Sequence, residues 1–235
     1  MKITLLNGQP FDYQAFCGFP LKVFHSAKAK RITLRIDEKL HLPVLTLPKR
    51  CSVTKAKEFL TLHHDWIVNM LGRLPVAQTF QDGDEITFFG EKCHISHCPQ
   101  NRYTSFANNT FQISGDKEFL HRRTTDFLKK QTLERLSELT IKTASVLGVK
   151  VSSVTLKDTK SRWGSCSTLG NINYNWRICL APFDVIEYLI CHEVSHLKHP
   201  NHSPSFWQCV ENLCPHYQTS RLWLKKHGRS LYKYI

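Results

Sequence analysis

The segment Cys191-His-Glu-Val-Ser-His-Leu197 carries two histidines four residues apart, with a glutamate directly after the first. Four residues make about one helical turn, so His192 and His196 project from one face and both imidazoles reach a single ion at about 2.0–2.1 Å. Glu193 falls on a neighbouring side, where it accepts a proton from a metal-bound water without being a ligand, as metal-assisted hydrolysis requires. Two histidines leave a catalytic zinc one protein ligand short, and His199, His202, His216 and Glu211 are the nearby choices. On a continuous helix His199 would sit about 10.5 Å from His192 along the axis, too far to share one ion. Pro200 breaks the helix, and His202 lies beyond the break, where the chain can turn back toward the metal. Ser203 and Pro204 then have the form of a cap and first residue of a new helix, so His202 is the expected third ligand. A structural zinc is the plainer alternative, but such sites favour cysteine and have no use for a glutamate beside the first ligand.

These residues need a rigid element beneath them. Pro182 can open a helix but not sit inside one, and Asp184 with Glu187 three residues later gives an acidic first turn resembling a capping box. Ile186, Leu189, Ile190 and Leu197 supply an apolar stripe, which predicts a buried helix over 182–198. Before it come a strand at 150–156, a turn at Gly170-Asn171 and a strand at 172–180. A long helix runs from Lys117 to Gly148, with Leu120, Phe127, Leu128, Leu136 and Leu139 apolar. The first hundred residues read as strands around one helix. Residues 31–36 alternate with period two, as do 85–88 after the turn signal Asp82-Gly83. Ala56, Phe59, Leu60, His63, Ile67, Met70 and Leu71 predict a helix over 53–71, closed by Gly72 and packed with the help of Trp66. A second hairpin is expected at 103–106 and 110–113 around Asn108-Asn109. The pieces make an α+β chain: a β-rich N-terminal region, 1–115, before a catalytic domain, 116–235. The stretches 69–82 and 115–117 are the two candidate boundaries.

With 235 residues and 41% of them hydrophobic, the chain can bury a sizeable core, which excludes disorder as the default. The 32 Lys and Arg against 19 Asp and Glu give a formal charge of +13, a field that admits anionic partners, nucleic acid on a basic surface among them. No basic run or nucleic-acid motif accompanies it, so a solvated surface is the plainer reading. The same holds for 217–235, where Arg221, Lys225, Lys226, Arg229 and Lys233 stand without an acid. Nine cysteines, an odd number and with no C-x-x-C pair, point to free thiols in a reducing compartment. The apolar run at Met1 to Gly8 breaks too early for a signal peptide, and no stretch nears the roughly 20 apolar residues of a membrane span. A cytoplasmic protein that does not enter the membrane is expected. Trp163-Gly-Ser-Cys166 invites a thiol-protease reading, but such a cysteine opens a helix, whereas Ser167-Thr-Leu-Gly170 reads as a turn. A structural strand and turn beside the substrate groove is expected there instead. Ser165 is in no G-x-S-x-G elbow, and Cys191 reads as a small core residue.

Taken together and in order, several segments resemble the YgjP-like metallopeptidase family, which is related to the SprT-like and WLM peptidases. They are Ser161-Arg-Trp-Gly-Ser-Cys-Ser167, Gly170-Asn-Ile172, Asn175-Trp-Arg-Ile-Cys-Leu180, His192-Glu-Val-Ser-His-Leu197, Asn201-His-Ser203 and Phe206-Trp207. The resemblance is strong over about 155–228 and continues more weakly upstream through 31–36 and His64-Asp-Trp-Ile67. It implies a zincin-like domain with zinc on His192, His196 and His202 and Glu193 as general base, acting on a peptide or protein. The chain departs from the family at Ala27-Lys-Ala-Lys-Arg31, and at Asp37-Glu-Lys-Leu40 in place of an Asp-Gly turn. The histidine spacing also fits metzincins, but those carry a methionine turn downstream, and the only methionines here are Met1 and Met70. Arg162, Tyr174 and His216 are candidates for a further oxyanion donor. Two rival functions remain in view: a nucleic-acid-associated protein with a structural or relic zinc site, and a small-molecule amide hydrolase.

Overall fold

The structure, a computed structural model, describes residues 5–6, 9–37, 42–72, 78–159 and 161–234. The unusual turn expected at Asp37 to Leu40 lies outside them from residue 38 onward. The chain divides into two compact units, Met1–Val76 and Ala77–Ile235. The division falls within 69–82 rather than at 115–117, and packing is the reason. Ile86, Phe88, Cys93, Ile95, Phe111 and Ile113 from the strands before residue 115 share one core with Leu120, Leu128 and Leu136 of the helix after it.

In the first unit, β1 (Leu5–Leu6) and β2 (Gln9–Pro10) pair antiparallel. α1 (Tyr13–Cys17) follows, its N-terminal amides accepted by Asp12. β3 (Lys22–Ser26), β4 (Thr33–Asp37) and β5 (Leu42–Pro48) form a sheet in the order β3-β5-β4, parallel then antiparallel. The helix expected over 53–71 is two: α2 (Val53–Leu62) and α3 (His64–Gly72). His63 ends α2 out of helical geometry, with its Nδ1 2.8 Å from the Phe59 carbonyl. Such a local side-chain bond is one way to interrupt the helical ladder. Leu45 and Leu47 pack on Ala56, Leu60 and Ile67, while Trp66, expected to pack, is 43% exposed, because α3 turns Ile67 inward instead.

In the second unit, β6 (Glu85–Phe88), β7 (Glu91–His97), β8 (Ser105–Ala107) and β9 (Thr110–Ile113) form a sheet in the order β6-β7-β9-β8. Asn108 and Asn109, at φ 49° and 54°, make the two-residue turn of the β8–β9 hairpin, a left-handed conformation that asparagine tolerates. α4 (Leu120–Leu147) ends at Gly148, φ 65°. β10 (Ser153–Lys157), β11 (Gly164–Cys166) and β12 (Asn171–Asn175) form a second sheet in which β12 is central, parallel to β10 and antiparallel to β11. The strand expected to reach residue 180 stops at Asn175, whose side chain accepts the Arg177 amide and starts a buried 3-10 turn, Trp176–Leu180.

α5 (Phe183–Ser195) comes next, shorter than the expected 182–198. Pro182 precedes it as the cap residue and no side chain caps the start, so the anticipated capping box does not form. α6 (Pro204–Leu213) opens as expected, with the Ser203 hydroxyl accepting the Phe206 amide and proline in the first turn. α7 (Tyr217–His227) completes the helices. No helix among the described residues is long and apolar enough to cross a membrane.

Candidate metal centre

α5 is apolar where it meets the core: Val185, Ile186, Leu189, Ile190 and Val194 are buried with residues of α4. Its last turn carries His192 and Glu193, and His196 forms its C-cap. The chain then turns through Pro200, and the new helix start at Ser203 fixes His202 over that end of α5. One ligand atom from each of His192, His196 and His202 lies within 4.8 Å of the others, and the Nε2 atoms of His192 and His202 are 3.1 Å apart. Tetrahedral ligation at about 2.05 Å places ligand nitrogens roughly 3.3 Å apart, so the three imidazoles fit one ion.

Their protonation fits as well. Burial, reinforced by His196, His202 and Arg221, pushes His192 down to about 3, and burial lowers His196 too. Both rings are therefore neutral at pH 7, the form that offers a lone pair to a metal. His196 Nδ1 lies 3.2 Å from the His199 carbonyl, which can only accept, so Nδ1 carries the proton and Nε2 is left bare. His199 thus serves through its backbone, not its ring. His192 Nδ1 is buried without a hydrogen-bond partner among the described residues. Aromatic rings hold the third histidine: Trp207 stacks on His202 at 5.7 Å and 23°, with Phe206 edge-on at 4.8 Å. Arg221 in turn lies 4.5 Å over the Trp207 ring.

Glu193 is only 4% exposed, and burial raises its carboxyl to about 8 against an opposing pull from Arg162. A cation held by the three histidines would act in the same direction as Arg162, favouring the ionised carboxylate. The carboxylate rests against β11. A Cβ added at Gly164 would fall 2.7 Å from Glu193 Cδ and 2.8 Å from its Cγ, so only glycine leaves room. The sequence reading did not single out Gly164, although a glycine inside a strand signals a close approach and the Trp163-Gly-Ser-Cys166 motif contained it. A cleft of about 330 Å³ lies between β11 and the end of α5, lined by Gly164, Ser165, Cys166, His192, Glu193 and His202 among others. Cys166 faces it as a thiol raised to about 11 by burial and by Glu193, which removes it as a nucleophile. Cys191 is buried in the core beneath α6 and α7 and raised to about 12.

Of the residues proposed as further ligands or donors, Glu211 and His216 do not line this cleft, and the Tyr174 hydroxyl is buried on Thr140 Oγ1 at 3.0 Å. Arg162 lines an adjoining cavity that shares Gly164 and Ser165 with the cleft.

The sequence profile described as YgjP-like, metallopeptidase domain, matches residues 30–227. Comparison with curated proteins returns no match. Among solved structures, the chain is similar to the metallopeptidase zymogen of Pyrococcus abyssi, abylysin, at 21% identity and a TM-score of 0.36, covering 43% of this chain and 99% of that one.

Proposed function

From the premise that the chain belongs to the YgjP-like family of metallopeptidase domains, and is thus a metal-dependent peptidase, we propose that its metal is zinc on His192, His196 and His202 and that Glu193 is the general base. One observation carries this most directly: three imidazoles converge within 4.8 Å beside the buried carboxyl of Glu193. Zinc held there would supply Lewis acidity toward a water and a substrate carbonyl. Glu193, wedged between α5 and Gly164, takes the water proton at its carboxylate and returns it to the departing amine. Catalysis falls to the 116–235 region, with the strands before it completing the core.

The substrate reading rests on β11, the edge strand of its sheet. The Asn175 amide donates to the Trp163 carbonyl and the Ser167 amide to the Asn171 carbonyl, so residues 163, 165 and 167 turn their polar backbone toward β12. Gly164 and Cys166 therefore turn theirs away, toward the free edge. An extended peptide can pair there as an added strand and hold its carbonyl over the histidines, which favours peptides over small amides. Arg221, stacked on Trp207, is engaged beside His202 rather than free for a nucleic-acid surface. The nine free cysteines fit a cytoplasmic setting.

Purified protein should hold about one zinc per chain. Its cleavage of unfolded protein should vanish with a chelator and return with added zinc. One bound zinc with no hydrolysis of any peptide, together with steeply salt-dependent nucleic-acid binding, would establish the relic-site alternative instead.

A further inference from the structure

The sheet of β10, β12 and β11 has two unlike faces. Val154, Leu156, Ile172 and Tyr174 pack into the core shared with α4 and α5. The opposite face is polar: Thr155 Oγ1 donates to Asn173 Oδ1 at 2.6 Å, and Asn173 Nδ2 to Ser165 Oγ at 3.4 Å. On it lies a cavity of about 210 Å³, whose walls include Lys157, Arg162, Trp163, Asn173 and Asn175 and which reaches the catalytic cleft across Gly164 and Ser165.

The two asparagines of this cavity are already matched. Asn175 Nδ2 donates to the Thr159 carbonyl at 2.6 Å and lies 3.0 Å from the Tyr232 hydroxyl, while Asn173 is bonded as above. The two cations are not. Neither Lys157 nor Arg162 has a carboxylate partner among the described residues, and Asp158, the nearest acid in sequence, is taken by Arg177. Arg162 lines this cavity together with Gly164, which rests against Glu193, and this puts the Arg162 charge close to the reacting end of the cleft.

Successive side chains of an extended peptide point to opposite faces of the sheet it joins. A peptide on the β11 edge that turns one residue toward Glu193 therefore turns the adjoining residue toward the polar face and its cavity. We propose that this cavity is a specificity site for a carboxylate on the substrate residue adjoining the scissile bond, with Arg162 and Lys157 as its cations. This rests on the peptidase reading and on strand addition at β11. The carboxylate belongs either to an acidic side chain or to the free C-terminus of a substrate, a chemistry the cavity reads alike.

Peptides paired as Glu and Gln at each position, each with a free or an amidated C-terminus, test this in two ways. The first is the Glu-to-Gln ratio of kcat/KM for the wild type. The second is the ratio of affinities for the Glu193→Gln protein, read by fluorescence anisotropy without turnover. We expect about a tenfold preference for the carboxylate in both, falling to near one in Arg162→Gln, partly kept in Arg162→Lys, and reversed toward lysine peptides in Arg162→Glu. A preference that follows the amidation state instead of the side chain identifies the free C-terminus as the group recognised. Equal cleavage and equal binding of all pairs overturns the specificity site and leaves the peptidase reading intact. Arg162-dependent binding without cleavage of any peptide overturns the peptidase reading and keeps the site.

Discussion

α4 and α5 pack against one another in the same core, yet the buried threonines of α4 and the buried pair His192 and Glu193 of α5 are treated differently. Every fourth residue of α4 from Leu120 to Ala144 is buried, and three of these are threonines. Each is matched inside the chain: Thr124 donates to the Leu120 carbonyl at 2.7 Å, Thr132 to the Leu128 carbonyl at 2.6 Å, and Thr140 meets the Tyr174 hydroxyl. α5 buries the Glu193 carboxyl and leaves His192 Nδ1 without a partner among the described residues, and it turns both side chains toward a cleft. The threonines, satisfied within the chain, hold the fold together, whereas His192 and Glu193 face the cleft, where something from outside can be met. α4 is the support and α5 the working element.

The contrast can be broken at several points. The largest effect is expected at the third histidine. His202→Ala should weaken metal binding roughly a hundredfold or more, whereas His199→Ala, which keeps the carbonyl that orients His196, should retain the metal. Elemental analysis after gel filtration decides between them, and the reverse pattern would move the third ligand. Next comes Gly164→Ala, whose methyl group enters the space of the Glu193 carboxylate. Its kcat should fall about thirtyfold through displacement of the base, with a stability cost of about 1–3 kcal/mol by thermal unfolding. Unchanged turnover would show that Gly164 does not position Glu193.

A smaller effect concerns Cys166. With its thiol raised to about 11, the thiolate is scarce at neutral pH and grows as pH rises toward that value. Alkylation of Cys166 at pH 8 should be about tenfold slower than that of free cysteine and still accelerate above pH 9.5, where an ordinary thiol levels off. A plateau near pH 9 in peptide-mapped labelling would reopen the thiol reading. The smallest effect belongs to α4: Thr132→Val should cost about 1 kcal/mol of stability and leave turnover as it was.

How much of this was legible from residues alone differs between the same regions. The His192, Glu193 and His196 set is visible in sequence because a helix fixes its geometry locally, and His202 is visible because Pro200, Ser203 and Pro204 punctuate the chain around it. The hairpin at Asn108-Asn109 and the end of α4 at Gly148 are equally local. What the sequence hides depends on partners distant along the chain. Gly164 matters because Glu193 arrives against it, and the division at 76 depends on strands and α4 sharing a core. The break at His63 and the stop of β12 at Asn175 arise from side-chain bonds to nearby backbone, which hydrophobic spacing does not register. That spacing carried the expected helix through His63 and the expected strand through to 180.

The central claim is that Glu193 acts as the base beside a histidine-held zinc. Digestion of a broad peptide library by zinc-loaded wild type and by zinc-loaded Glu193→Gln tests it most directly, with metal content measured in both samples. The expected result is about one zinc per chain in each, and cleavage by the wild type reduced roughly a thousandfold or more in the variant. Equal cleavage by both proteins at equal zinc content would contradict it.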